Sequence, residues 1–426
     1  MLLKIKTNKT LVNGFFFSLF SFFNQGVSFF LLILLANYIT PGEYGYLSLF
    51  NTIVMFIGYF ISLSTQGYIS VSFFQKESIY FKKDFSIIFI ITLFVFIFLS
   101  IILLLFHNHL SHITQLSNSL LWFSLFISTF TLFLNINLDY LRIKEKILEY
   151  GILSCSFAIV NFLLSLYFVI KCSQSWLGRI NAQLICCIFF GLISILFFLK
   201  NRMFTLRNYT INDFKQIICW GLPLIPHLAT NWIRQGCDRY IINYHYSIEE
   251  VGLFSFALNL VNIIIILGVA FNSSNSVSIY KILSNNTIYN KIALLKKQTN
   301  NIFYIYLLST ILITSGGCVL IPILLPQYTE AIPYFCILSI YAFLQCLYFL
   351  YCNFLFYYNK NKKIMLLTFS TSILHLILSY LFTQYSLIGT SFIYIITQAI
   401  IVIEIKRFSN KLMESIKVSF QNWRID

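Results

Sequence analysis

The sequence predicts an all-α, polytopic membrane protein of about twelve transmembrane helices. Three observations predict it. Of 426 residues, 58% are hydrophobic and only 10% charged, whereas a water-soluble domain carries roughly 25% charged residues. The apolar residues come in runs of about twenty, the length that crosses a bilayer core as a helix. Their continuity excludes the alternating pattern of a membrane barrel, and lipid leaves a spanning backbone no third choice. Finally, the cations fall between these runs in a regular alternation, as topology signals do.

The spans lie near residues 11–36, 46–72, 85–106, 118–138, 150–170, 179–199, 216–238, 251–272, 300–325, 334–356, 364–383 and 388–405. The first follows Lys4, Lys6 and Lys9 and continues for about 25 apolar residues, too long for a cleavable signal-peptide core. Lys76, Lys82 and Lys83 separate the second span from the third. Arg142, Lys144 and Lys146 separate the fourth from the fifth, and Lys200, Arg202, Arg207 and Lys215 the sixth from the seventh. Later come Lys281, Lys291, Lys296 and Lys297, then Lys360, Lys362 and Lys363. Lys406, Arg407, Lys411, Lys417 and Arg424 follow the last span. With the N-terminus in the cytoplasm, the inside segments hold 25 of the 29 Lys and Arg residues. Adding or dropping one span would scramble that order, so both ends are expected on the cytoplasmic side. The outside loops, about 4 to 12 residues each, leave no room for a separate catalytic module.

The net charge of +15 is spread over these clusters rather than gathered in one patch, so no nucleic-acid partner is expected. Ten cysteines are present, but Cys155, Cys186, Cys187, Cys318 and Cys346 lie within apolar runs and read as small packing residues. No metal-ligand spacing stands out. His107, His109 and His112 occupy a polar outside loop, and no metal site is assigned. No Walker motif is present, which argues against ATP hydrolysis by this chain.

The ends of the first and seventh spans read alike. Glu43, Gly45 and Ser48 match Glu250, Gly252 and Ser255 as E-x-G-x-x-S, 207 residues apart. The same offset pairs Gly14 with Gly221, Asn24 with Asn231 and Val54 with Val261. Both spans run from inside to outside, so the match predicts a parallel repeat, with residues 1–205 and 206–426 as two six-helix bundles of one transporter domain. Coincidence between two loop-entry signals is the competing explanation.

The segment from Leu34 through Pro41, Glu43 and Gly45 to Ser48 resembles the first helix pair of bacterial polysaccharide exporters. So does Gly221-Leu-Pro223-Leu-Ile-Pro226, followed by Cys237-Asp238-Arg239 and Glu249-Glu-Val-Gly252. Together they resemble the Wzx-type O-antigen flippases of the multidrug/oligosaccharidyl-lipid/polysaccharide exporter superfamily, over essentially the whole chain. The resemblance implies a MATE-like pair of bundles in the bacterial cytoplasmic (inner) membrane. It implies a flippase, not an enzyme, that moves an undecaprenyl-pyrophosphate-linked O-antigen or capsule repeat unit to the outer leaflet by alternating access, serving lipopolysaccharide and other polysaccharide biosynthesis. Its partners would be that lipid-linked oligosaccharide, the membrane lipids, and by family analogy a polysaccharide polymerase and chain-length regulator. No cofactor is expected; coupling to H⁺, Na⁺ or neither stays open.

Such a substrate needs a polar cavity, and a charge inside a span is a functional candidate. Four cations escape the cytoplasmic clusters: Lys171, Arg179, Arg234 and Arg239. The first two flank a short outside loop and read as interfacial anchors. Arg234 lies about 27 Å along a seventh helix starting near residue 216, and Asp238 follows four residues later, on the same face of a continuous helix. Pro223 and Pro226 should break that helix, which marks a transporter's central site. Arg234, Asp238 and Arg239 are therefore substrate-binding candidates, against a role in headgroup anchoring or a structural ion pair. Asn24, Gln25 and Asn231 are candidates for bonds to sugar hydroxyls, or simply for helix–helix contacts. Asn161, Gln345, Asn353 and Gln398 are weaker cases of the same kind. His227 and His375 could carry protons, although a lone buried histidine is usually structural. Asp139, Arg142, Glu145 and Glu149 read as a solvated inner loop or an inner gate.

Two rivals remain. A multidrug or cation extruder of the same superfamily would favour carboxylates deep in the spans, and here Asp238 and Glu404 sit near span ends. A polymerase or acyltransferase of polysaccharide assembly would need an outer catalytic loop or an embedded reaction centre, and neither stands out.

Overall fold

The computed structural model describes the backbone of residues 2–205, 209–284 and 291–422, and side chains there except at 2–12, 14, 15, 227 and 414–422. The side chains of Lys4, Lys6, Lys9, Lys417, His227 and all of Arg207 and Arg424 thus lie outside the described residues. The described chain is all-helical. In order, the helices are α1 (Leu2–Ala36), α2 (Pro41–Phe60), α3 (Tyr68–Gln75), α4 (Ser78–Thr114), α5 (Asn118–Ile143), α6 (Ile147–Leu166), α7 (Ser175–Lys200) and α8 (Ile211–Gly221). Then come α9 (Ile225–Gln235), α10 (Cys237–His245), α11 (Ile248–Ser284), α12 (Lys291–Leu324), α13 (Ile332–Tyr357), α14 (Asn361–Phe382) and α15 (Leu387–Asn422).

Among the described residues, ten helices are long and apolar enough to cross a membrane, and the bent pair Pro41–Phe60 with Thr65–Gln75 makes an eleventh. The remaining sequence-predicted span, 216–238, falls on the chain of short helices α8, α9 and α10, none of which is long enough alone. Both prolines lie at the junction of α8 and α9. Leu222–Leu224 form a 3₁₀ turn around Pro223, and Pro226 sits in the first turn of α9, where its missing N–H leaves no bond unmade.

The chain folds as two compact units, Met1–Trp232 and Ile233–Asp426. The first is built around an aromatic and aliphatic core that includes Phe50, Phe85, Ile88, Leu125, Ile127 and Phe198, all fully buried. Within it α2 and α3 meet at an angle of 56°. The break carries Leu63 (φ 47°) and Ser64 (φ 58°) in the left-handed region, where a residue with a Cβ costs about 1–2 kcal/mol. The joint is held from outside by α8. A Cβ on Gly221 would lie 2.5 Å from the Leu63 carbonyl oxygen, and one on Gly67 would lie 2.8 Å from the Trp220 ring. Trp220 packs edge-on to Tyr68 at 5.5 Å, and Gln216 donates to the Tyr68 hydroxyl at 3.2 Å. At the other end of α8, Lys83 pairs with Asp213 at 2.7 Å. Further along, Trp232 donates its indole N–H to the Thr52 carbonyl at 3.0 Å and packs on Phe56.

The second unit packs α11 and α15 against α13, whose buried face presents Phe335, Leu338, Ala342, Leu350 and Phe354. The E-x-G-x-x-S pair turns out to mark two helix starts. Thr40 and Glu43 form a reciprocal capping box on α2, and the Ser247 hydroxyl accepts the Glu250 N–H at 3.3 Å at the start of α11. The shared glutamate is thus placed by N-terminal capping chemistry. In the second copy its carboxylate accepts from the Tyr334 hydroxyl instead, at 3.1 Å.

Candidate functional site

The polar residues singled out by sequence divide between the two units. In the first, Asn24 and Gln25 lie on α1. Gln25 is exposed and donates to Ser21 Oγ at 3.3 Å. Asn24 is half-buried, and its side-chain oxygen is sheltered with no partner among the described residues. The same stretch of α1 borders an apolar groove of about 450 Å³ with α6, lined by Phe22, Phe23, Gly26, Phe30, Ile159 and Phe162 among others; neither amide lines it. Asn231 is exposed on α9. Arg179, expected as an interfacial anchor, is instead bonded inside the unit, donating to Asn161 Oδ1 at 2.8 Å and Ser165 Oγ at 3.1 Å. The inner-loop group is partly tied together. Arg142 pairs with Asp139 at 3.3 Å and donates to Tyr150, Glu145 accepts from Asn13 at 3.1 Å, and Glu149 pairs with Lys146.

In the second unit the structure gathers Arg234, Asp238, His375, Tyr394, Thr397 and Gln398. Arg234 and Asp238 do not pair with each other, contrary to the i,i+4 expectation. The helix is interrupted at Gly236, so the two residues sit on separate segments, α9 and α10. Each finds a partner far away in sequence. Arg234 Nη2 donates to Gln398 Oε1 at 2.7 Å. A guanidinium has no acceptor, so the amide oxygen must face it. The Tyr394 hydroxyl donates to the Arg234 carbonyl at 2.6 Å, and Tyr341 lies under the guanidinium, 5.9 Å from ring centre to Cζ. After these contacts two sheltered donors stay without a partner: Arg234 Nε and Gln398 Nε2. Among the described residues no carboxylate forms an ion pair with Arg234. Orphaned buried donors cost about 1–3 kcal/mol each, and a group bearing acceptor oxygens would satisfy these two.

Asp238 is fully buried and so is His375, which bonds it through Nε2 at 2.8 Å. The other Asp238 oxygen accepts from Ser379 Oγ at 2.6 Å. His375 Nδ1 lies 3.1 Å from Thr397 Oγ1, and its ring meets Tyr394 edge-on at 4.7 Å. Arg239 donates from Nε to Ser255 Oγ at 3.1 Å. Sequence reasoning ranked Gln398 low and left Asp238 and His375 unconnected. A sequence clue existed: α14, the residue that follows it and α15 place Ser372, His375, Ser379, Thr383, Thr390, Ser391, Thr397 and Gln398 among apolar neighbours, and all eight are fully buried.

No family model matches the chain. Protein 1 of the Lsg locus of Haemophilus influenzae is similar at 24% identity over 254 residues, 58% of this chain. The match spans 62% of that relative's length. Among solved structures, a multidrug-resistance MATE-family transporter of the MOP superfamily, inward-facing, superposes with a TM-score of 0.74 at 12% identity, covering 92% of this chain and 95% of the other. The lipid II flippase MurJ, inward closed, gives 0.72 at 16% identity, with 94% and 90% covered. The chain is a multi-pass membrane protein whose described residues adopt an all-helical, MATE-like fold similar to these two solved structures.

Proposed function

We propose that this protein is a flippase of the bacterial cytoplasmic membrane, with both termini inside. Its substrate is an undecaprenyl-pyrophosphate-linked oligosaccharide, an O-antigen or capsule repeat unit, carried from the inner to the outer leaflet by alternating access between two six-helix bundles. The observation that carries this reading is the Arg234–Gln398 pair, a cation without a carboxylate partner beside two sheltered, unused donors. That chemistry fits the oxygens of a pyrophosphate or an acidic sugar. The likeness in fold to a lipid II flippase is consistent with a lipid-linked substrate. Asn24, Gln25, Asn231 and Arg239 act in this reading as secondary contacts to the sugar head, and the breaks at Pro223 and Pro226 let the seventh span rearrange. A polymerase and a chain-length regulator would take the product on the outer face.

The rival extruder reading draws on the likeness to a multidrug transporter and on the buried acid Asp238. In the structure that acid is already occupied by His375 and Ser379, which favours the anionic substrate.

Deleting the gene in its host and analysing lipid-linked oligosaccharides by amount and sidedness tests the proposal. A single repeat accumulating on the inner face, with surface polysaccharide lost, is the expected result. Unchanged surface polysaccharide with new drug sensitivity would establish the extruder instead, and unpolymerised repeats on the outer face would revive an enzyme. In the complemented strain Arg234→Ala should reduce export at least tenfold, in line with a loss of about 1.5–3 kcal/mol per charged hydrogen bond, at unchanged protein abundance. Normal export by that variant would remove Arg234 from the site.

A further inference from the structure

We propose that Cys318 and Cys336 are an oxidisable pair, joined in the cell as a disulfide near the outer face of the membrane, which staples the end of α12 to α13. The inference rests on the orientation proposed above and is independent of the cargo.

The cysteines differ in what their sulfurs touch. Cys187 accepts from the Thr131 hydroxyl, Cys186 donates to the Phe157 carbonyl and Cys346 to the Ile264 carbonyl. Cys318 and Cys336 instead touch each other, with their Sγ atoms 3.3 Å apart. The two helices approach closely at this level: a Cβ on Gly317 would lie 2.4 Å from the Phe335 ring. The sulfurs need to close by only about 1 Å to reach bonding distance. A metal centre would need further ligands, and among the described residues no cluster of three His, Cys, Asp or Glu side chains forms one.

Position decides the redox surroundings. α12 starts at Lys291 and carries Lys296 and Lys297 close behind, while α13 ends shortly before Lys360, Lys362 and Lys363. Those basic ends belong inside, so the turn Pro326–Ala331 that joins the two helices lies outside. At a rise of 1.5 Å per residue, Cys318 is about 9 Å before the end of α12 and Cys336 about 6 Å after the start of α13. Both are half-buried. The outer compartment of a bacterium is oxidising, and a protein disulfide there serves as oxidant by thiol–disulfide exchange. Cys318 and Cys336 together give up two protons and two electrons as the Sγ–Sγ bond forms. The oxidant's own disulfide takes both and leaves as two thiols.

The bond falls where α12 is weakest. Pro322 lies within that helix and has no N–H for the carbonyl four residues earlier, which is that of Cys318. The inner half of α12 has polar ties to α11: the Tyr306 hydroxyl donates to the Gly268 carbonyl at 3.1 Å, and Gln298 donates to Asn275 at 3.1 Å. The outer half presents Val319, Leu320, Ile323 and Leu324 as exposed side chains. A covalent link at Cys318 restores there the restraint that the proline removes.

The test counts thiols in the full-length protein taken from acid-quenched cells, denatured and labelled with a maleimide-polyethylene glycol that adds one gel step per free thiol. Wild type should show eight of its ten cysteines without reductant and all ten after reduction. Cys318→Ser and Cys336→Ser should each show nine under both conditions. Ten free thiols in unreduced wild type, or seven in either unreduced variant, overturns the pairing. Orientation is checked separately on native Cys172, exposed between α6 and α7, which the same orientation puts outside. A membrane-impermeant maleimide should label it on intact cells, and Cys172→Ser should remove that label. Ten free thiols with Cys172 labelled refutes the disulfide alone; labelling only after the cells are opened refutes the orientation and the proposal with it. In purified protein, reduction should raise amide exchange of peptides covering 318–324 at least about tenfold, well under the full effect of removing a disulfide, and should change nothing in Cys318→Ser. Unchanged exchange in the wild type overturns the staple.

Discussion

The seventh span is held at two places by different means. At its start, α8 is fixed by shape: Gly221 rests on the Leu63 carbonyl, with no space for a methyl group between. At its end, α10 is fixed by charge and hydrogen bonds, through Asp238 to His375 and Ser379. A steric seat holds under all conditions that keep the fold. A polar seat holds only while every partner is in place, because removing one leaves the other buried and unmatched. One interrupted span therefore has a sterically seated end and a hydrogen-bonded end.

The comparison can be broken at its polar side first. His375→Ala leaves Asp238 buried without its ring partner and should destabilise the protein by about 3–5 kcal/mol, read as a large drop in unfolding midpoint in detergent. A drop no larger than that of an average core truncation would mean the pair contributes little. Gly221→Val should cost about 1–3 kcal/mol as an overpacked contact, and no side-chain substitution should rescue it, since the clash is with backbone. Gly268→Ala sharpens the point. Its Cβ would meet the Cys346 sulfur at 2.3 Å, so adding Cys346→Ala should restore most of the loss in a double-mutant cycle. Ser64→Gly acts in the opposite direction. It relieves a left-handed backbone and removes a sheltered hydroxyl without a partner, and should stabilise the joint by about 1 kcal/mol.

The smallest effect lies at the N-terminal tether of α8. Partial burial pushes the Asp213 carboxyl up, but the Lys83 bond, the Thr210 hydroxyl and amide, and the Lys83 charge together hold it at about 2. A depressed carboxyl stabilises the fold above its unfolded value near 3.8, and this contribution fades as pH falls toward 2. Asp213→Asn should therefore be slightly less stable than wild type at neutral pH, with the difference in unfolding midpoint vanishing near pH 2. A constant offset across that range would show that the carboxyl's charge is not what matters.

The parts of this architecture that depend on local composition were legible in the sequence. Apolar runs and cation clusters located the spans, and Pro223 with Pro226 lie where the seventh is first interrupted. The bend between α2 and α3 was not announced, because it rests on Leu63 and Ser64 adopting a conformation that their residue types disfavour and that packing on Gly221 imposes. The second interruption, at Gly236, was also missed, and with it went the expected Arg234–Asp238 contact. The true partners lie 164 residues away for Arg234 and 137 for Asp238, a separation at which helical periodicity carries no information. Arg234 itself stood out early only because a cation inside an apolar run is expensive.

The tryptophans offer a consequence of a spectroscopic kind. Trp122, Trp176, Trp220 and Trp232 all belong to the first unit, and two of them flank the interruption of the seventh span. With Trp423 replaced by Phe, the tryptophan fluorescence of the whole chain would come from the first unit alone. Quenching of that tryptophan emission by brominated lipid would then report on the surroundings of the first unit's four tryptophans, Trp220 and Trp232 among them, without any attached dye.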